Sequence, residues 1–176
     1  MDKIVISDTN ILIDLQQASL LGIFFALPVE IHTVDFVVAE IKTDPLRTAV
    51  GEMIRTGVLH VDSITDEQMP KVLSLLSGNL SLTDCAVWFT AKTNGWTLLT
   101  GDKKPRAKAE ADGVTVRGIL HVLDELLDAS KIDPSYAAEK LEQLSRGNKR
   151  LPAAEVELRL RKWTLLTPKP ENELCD

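Results

Sequence analysis

Four acidic residues stand where a carboxylate can do chemistry. Asp8 directly follows the apolar run Lys3–Ser7, and Asp102 closely follows Trp96–Thr100. Both runs read as strands, and the carboxyl ends of parallel strands are where ligands bind, at the crevice where strand order reverses. Asp84 falls in the first turn of a helix opened by Ser81 or Thr83, and Glu40 lies inside a helix after the second strand. Taken singly, each has a plainer use. Asp8, Asp84 and Asp102 sit near helix starts, where a capping carboxylate stabilises by roughly 0.5–2 kcal/mol. Glu40 alone reads as a solvated helix residue. Cys85 and Cys175 form no CxxC pattern, and His32, His60 and His121 are scattered. If a metal is bound, carboxylates must hold it.

The elements that must position these acids alternate. Strands are expected at 3–7, 30–33, 58–61, 96–100 and 114–117, each a short apolar or β-branched run. Between them, helical spacing covers 11–15, 19–27 up to Pro28, 35–41, 46–55, 65–76 and 81–92. A further helix accepts Pro105 in its first turn and ends at Gly113. Strands separated by helices indicate βαβ units, hence an α/β fold with a parallel sheet covered on both faces. After Gly118 the pattern is purely helical, at 119–129, from Asp133-Pro134 onward, and at about 152–163. We read 1–128 as one domain, 129–166 as its helical extension, and 167–176 as a flexible Pro- and Glu-rich tail.

Composition narrows the function classes. The 176 residues are 44% hydrophobic and 26% charged, which excludes wholesale disorder and low-complexity polymers. No apolar run reaches the roughly 18 residues of a membrane span, so no membrane association is expected. Met1–Asp8 carries no basic leader, and two unpaired-looking cysteines fit a cytoplasmic location. Net charge is −6, which disfavours a general nucleic-acid-coating protein. Setting the four acids aside leaves 22 acids against 20 bases, so a phosphodiester substrate is not excluded.

The segments Ser7-Asp8-Thr9-Asn10-Ile11-Leu12, Val38-Ala39-Glu40-Ile41, Leu82-Thr83-Asp84-Cys85-Ala86 and Leu99-Thr100-Gly101-Asp102-Lys103-Lys104 occur in that order. Together they resemble the four acidic motifs of PIN-domain nucleases, especially the VapC-like ribonuclease toxins. The resemblance runs from Lys3 to about Leu127 and is strengthened by Arg106, Gly113 and Val116-Arg117-Gly118. It implies a three-layer α/β/α sandwich around a central parallel sheet of about five strands. It also implies that Asp8, Glu40, Asp84 and Asp102 converge on one or two Mg²⁺ or Mn²⁺ ions to cleave RNA. Hard divalent cations favour such oxygen ligands and bridge phosphate oxygens. In the roles we favour, Asp8 is the central ligand, Asp84 and Asp102 complete the shell, and Glu40 binds metal or orients water. Asn10 and Thr100 hold water or ligands, or simply close local turns. Lys103, Lys104 and Arg106 are the expected contacts to phosphates of single-stranded RNA. The resemblance further implies a small antitoxin partner, and a homo-oligomer is expected; Phe24 and Phe25 read first as ordinary core and second as the wall of a partner groove. Arg146, Lys149 and Arg150 read as surface.

Three rival readings also rest on acidic residues. An aspartate-dependent phosphatase needs a second Asp two residues after the first, where Asn10 stands. A receiver-type module needs a phospho-acceptor after the third strand, and Asp62 is poorly placed for it. A PIN-fold scaffold that binds RNA or protein without cutting would be marked by loss of one acid, and all four are present.

Overall fold

The computed structural model describes residues 3–6, 9–148 and 150–166. Five parallel strands form one sheet: β1 (Lys3–Ile6), β2 (Glu30–Val34), β3 (Leu59–Asp62), β4 (Thr97–Leu99) and β5 (Val116–Arg117), in the order β3-β2-β1-β4-β5. Ile4 pairs with Ile31 on one side and Thr97 on the other, and Leu98 pairs with Val116. The first half of the chain builds outward from β1 through α1 (Thr9–Gln17), α2 (Leu21–Phe24), α3 (Asp35–Glu40) and α4 (Leu46–Arg55). The connection α5 (Met69–Ser74) and α6 (Leu82–Asn94) then crosses back over β2 and β1 to β4, and α7 (Lys103–Ala111) leads to β5. Parallel crossovers are right-handed, so reversing the direction of travel puts the second set of helices on the opposite face. Contacts agree: α6 lies over β1, β2 and β4 with α5 and α7 beside it, while α1 packs with α2, α4 and α8 (Ile119–Asp128).

Local chemistry explains the ends of these elements. Ser81 caps α6, and Gly95 terminates it with φ +69°, a left-handed turn that costs glycine no Cβ clash. Asp133 accepts from the Tyr136 amide at 2.8 Å and Pro134 opens α9 (Pro134–Gly147), the conformation proline prefers. In α8, Ile119, Val122, Leu123 and Leu126 form the buried stripe of an amphipathic helix. The last helix, α10 (Ala153–Leu166), packs on α9. One connected core includes Leu12, Phe24, Ile31, Val87, Leu98 and Leu123 together with Leu141, Leu144, Val156 and Trp163 from the C-terminal helices.

Several expected elements are shorter in the structure. The helix expected over 19–27 is only the single turn Leu21–Phe24, because Ser19 takes φ +59° and turns follow to Pro28. The helix expected over 65–76 is confined to Met69–Ser74, with Pro70 in its first turn and the Gln68 side chain accepting from the Thr65 amide. The expected partner groove at Phe24 and Phe25 is corrected. Both rings are buried, at 0% and 8% exposure, and meet edge to face at 5.3 Å. The single turn of α2 packs against α8, and both phenylalanines face the core while Gly22 and Ala26 stay exposed. No helix among the described residues is long and apolar enough to cross a membrane. The tail 167–176, including Cys175, lies outside the described residues.

Candidate functional site

The strand order reverses between β1 and β4; in the chain Asp8 and Asp102 follow these two strands, Asp84 lies in the first turn of α6 and Glu40 is the last residue of α3. Asp8, two residues beyond β1, lies outside the described residues. Its neighbour Thr9 opens α1 and its hydroxyl donates to Glu40 Oε2 at 3.4 Å. The other oxygen of Glu40 accepts from the Thr83 hydroxyl at 2.6 Å. Glu40 is therefore more than a solvated helix residue. Its carboxylate ties the end of α3 to the residues beside Asp8 and Asp84.

Asp84 does cap its helix. Its Oδ2 accepts from the Ser81 amide at 2.9 Å while its own amide donates to Ser81 Oγ at 3.0 Å, a complete capping box. A carboxylate accepts through two oxygens, so the cap orients Asp84 without consuming it. Asp102 behaves differently. It occupies the N-cap position of α7, but its side chain makes no capping bond. Its amide donates to Thr100 Oγ1 at 3.1 Å, and its Oδ1 accepts from Arg150 Nη1 at 2.9 Å. Thr100 is fully buried and so closes the turn that aims Asp102; Asn10 is half-buried at the second position of α1. Among the described residues, no three His, Cys, Asp or Glu side chains are grouped closely enough to hold a metal. The chemistry of the donor set, carboxylates on separate segments around one sheet end, nonetheless suits a hard divalent cation.

Arg106, expected as a phosphate contact, is a brace. Its Nη2 donates to the Thr100 carbonyl at 3.1 Å, and its Nη1 reaches the Val116 carbonyl at 3.4 Å and Glu110 at 3.2 Å. Gly118 permits this, since a Cβ there would come 3.1 Å from Arg106 Nη2. Lys103 and Lys104 are exposed on the first turn of α7.

The residues that sequence reasoning missed are Asp14, Asn148 and Arg150. Arg150 is not free surface: its main-chain amide and Nε donate to Asn148 Oδ1 at 3.0 and 3.3 Å. Asn148, itself buried, donates from Nδ2 to Asp14 Oδ2 at 2.7 Å. Arg146 of the same expected cluster is exposed and pairs with Glu142, and Lys149 lies outside the described residues. One signal was available. Asp14 lies one helical turn from Ile11 and beside Leu15, on the apolar face of α1, and an acid there requires a partner.

Burial raises the Asp14 carboxyl above its ordinary value, against the lowering pull of Arg150 and the Asn148 bond. The native state then binds the proton more tightly than the unfolded chain, so this group's contribution to stability falls as pH rises above the ordinary carboxylate range. Asp14→Asn keeps a carbonyl acceptor for Asn148 and removes the charge. We expect its melting temperature at pH 7 to match or exceed that of the wild type, with a smaller loss of stability between pH 4 and neutrality. Thermal melts across that range check this, and a variant less stable at pH 7 would show that the charge is needed.

The sequence model of the PIN domain matches residues 4–164 of this chain. Among solved structures it is similar to a PilT N-terminus domain protein from the hyperthermophilic archaeon Sulfolobus solfataricus P2, at 13% identity and a TM-score of 0.46, over 73% of this chain and 93% of that one. No curated protein matches it by sequence.

Proposed function

Because the chain belongs to the PIN-domain family, we propose that its nuclease-type fold serves a metal-dependent endoribonuclease acting on single-stranded RNA. The observation that carries this reading is the Glu40 carboxylate bonded to Thr83 and Thr9, the residues adjoining Asp84 and Asp8. Three acidic motifs, separated by tens of residues, are thereby drawn together at one end of the sheet. Asp8, Glu40, Asp84 and Asp102 are the residues that would hold Mg²⁺ or Mn²⁺. Such an ion, when bound, supplies an activated water and stabilises the departing oxygen of the phosphodiester. The protein's part is orientation. Thr9 and Thr83 fix Glu40, the Ser81 cap fixes Asp84, and the turn closed by Thr100 fixes Asp102.

The test is cleavage of a labelled single-stranded RNA with Mn²⁺ or Mg²⁺ present and after EDTA. Cutting only with metal supports the reading, and cutting unaffected by EDTA defeats it. Metal should also stabilise the fold. At a hundred times its dissociation constant a cation adds about 2.7 kcal/mol, or roughly 5–10 °C in Tm for a chain of this size. A melting curve unchanged by millimolar Mn²⁺ would count against the site. Expression in a bacterial host separates the biological roles. Growth arrest relieved by Asp8→Asn supports a toxin, whereas harmless expression of an active enzyme supports RNA processing or self-inhibition.

A further inference from the structure

A cavity of about 410 Å³ opens beside Asp102, between the turn after β4, the junction of β5 with α8, and Asn148 with residues 150–152 of the C-terminal segment. Its walls carry Lys103, Arg106, Arg117, His121, Arg150 and Arg159, and no Asp or Glu, in a chain of net charge −6. Part of this charge is already matched. Arg159 grips Asp124 at 2.8 Å and Glu155 at 2.8 Å, Arg106 pairs with Glu110, and His121 lies 3.4 Å from Glu125. Lys103 and Arg117 are different, because among the described residues neither has an ion-pair partner. Arg117 Nη1 bonds only the Val116 carbonyl there. Arg150 stands at the boundary, with Nη1 on Asp102 at 2.9 Å, Nη2 4.0 Å from Asp14 and Nε on Asn148, which itself bonds Asp14. A guanidinium carries five donors in a fixed fork, so these bonds leave it donors to offer a second acceptor.

We propose that this cavity is a subsite for the phosphodiester next to the one that is cut, contacted by Lys103, Arg117 and Arg150; this rests on the nuclease reading for its position but not for its chemistry. Concentrated positive charge with no carboxylate in the walls suits a phosphate, and the strand it belongs to would pass directly over Asp102. Asn148 and Asp14 are positioning residues that hold Arg150 where it serves both the acid and the strand. The subsite is built by the C-terminal segment: Asn148, Arg150, Leu151 and Pro152 form one wall.

The experiment is fluorescence anisotropy of a labelled 12-nucleotide single-stranded RNA with the full chain, in EDTA to prevent cutting, at several KCl concentrations. Lys103→Gln, Arg117→Gln and Arg150→Gln should each weaken binding several-fold and reduce the slope of log affinity against log salt by about 0.7, the value for one lost contact to a single strand. Arg150→Lys should restore the slope but not the full affinity, because lysine lacks the fork. Arg161→Gln, an exposed control paired with Glu157, should change neither. Melting curves confirm that each variant is folded. Unchanged affinity and slope in both Lys103→Gln and Arg117→Gln overturn the proposal, as does a wild-type chain that binds no RNA. Faster cutting and tighter Mn²⁺ binding by Arg150→Gln, with RNA affinity unchanged, would also overturn it and make Arg150 an internal block on Asp102. The two readings fail separately. Normal slope losses without metal-dependent cutting would sink the nuclease, and cutting without slope losses would sink the subsite.

Discussion

Asp102→Asn is expected to lower metal-dependent RNA cleavage by more than about 100-fold, since even residues that merely orient a metal ligand cost 10–100-fold when removed. The substitution keeps volume and shape, and asparagine still presents a carbonyl oxygen to Arg150 Nη1, now 2.9 Å from Asp102 Oδ1. The fold should therefore survive while the charge is lost. Asp84→Asn should behave alike, because its carbonyl can still accept from the Ser81 amide. Steady-state cleavage rates with melting curves on the same samples provide the check. If both variants cut at the wild-type rate, these acids hold no catalytic metal.

Trp163→Ala should destabilise the whole chain by about 3–5 kcal/mol, the cost of removing a large buried aromatic side chain. At this size that is a fall of roughly 6–20 °C in Tm. Trp163 is 1% exposed and belongs to the same buried cluster as Phe24 and Leu123. We propose on that basis that the helical extension folds with the N-terminal part as one unit, so the melt should remain a single transition. A Tm change below 2 °C, or an early separate step, would show that the extension folds apart. Its loss would also remove Asn148 and Arg150 from the site.

The sequence of α10 shows why this residue was not foreseeable. Val156 and Trp163 are seven residues apart and buried, yet Leu158 and Leu165, also seven apart, are 62% and 87% exposed. Periodicity defines a stripe but does not choose between two apolar stripes; the neighbouring α9 makes that choice. Phe24 and Phe25 read as core more readily than as a partner wall, and both are core, but local pattern does not say what covers them. Their burial depends on α8 arriving from about a hundred residues further along the chain, which no local pattern records.

What the amino-acid sequence determined by itself is what acts over a few residues. Short β-branched runs alternating with helical spacing specify the α/β class, and the Ser81–Asp84 capping box, the Gly95 stop and the Asp133-Pro134 start are local hydrogen-bond and dihedral preferences. The order of the four acids was likewise readable, with Asp84 at a helix start and Glu40 within a helix, as was membership of the family they indicate. Apart from the Ser81–Asp84 cap, tertiary structure decided which partners the site's acids have. Glu40 meets Thr83 across 43 residues, Arg150 meets Asp102 across 48, and Asn148 meets Asp14 across 134. Side chains so far apart in the chain come within bonding range only after the sheet order and the packing of the C-terminal helices are set. Their electrostatic role is a property of the assembled site, and Arg150 became part of it for that reason.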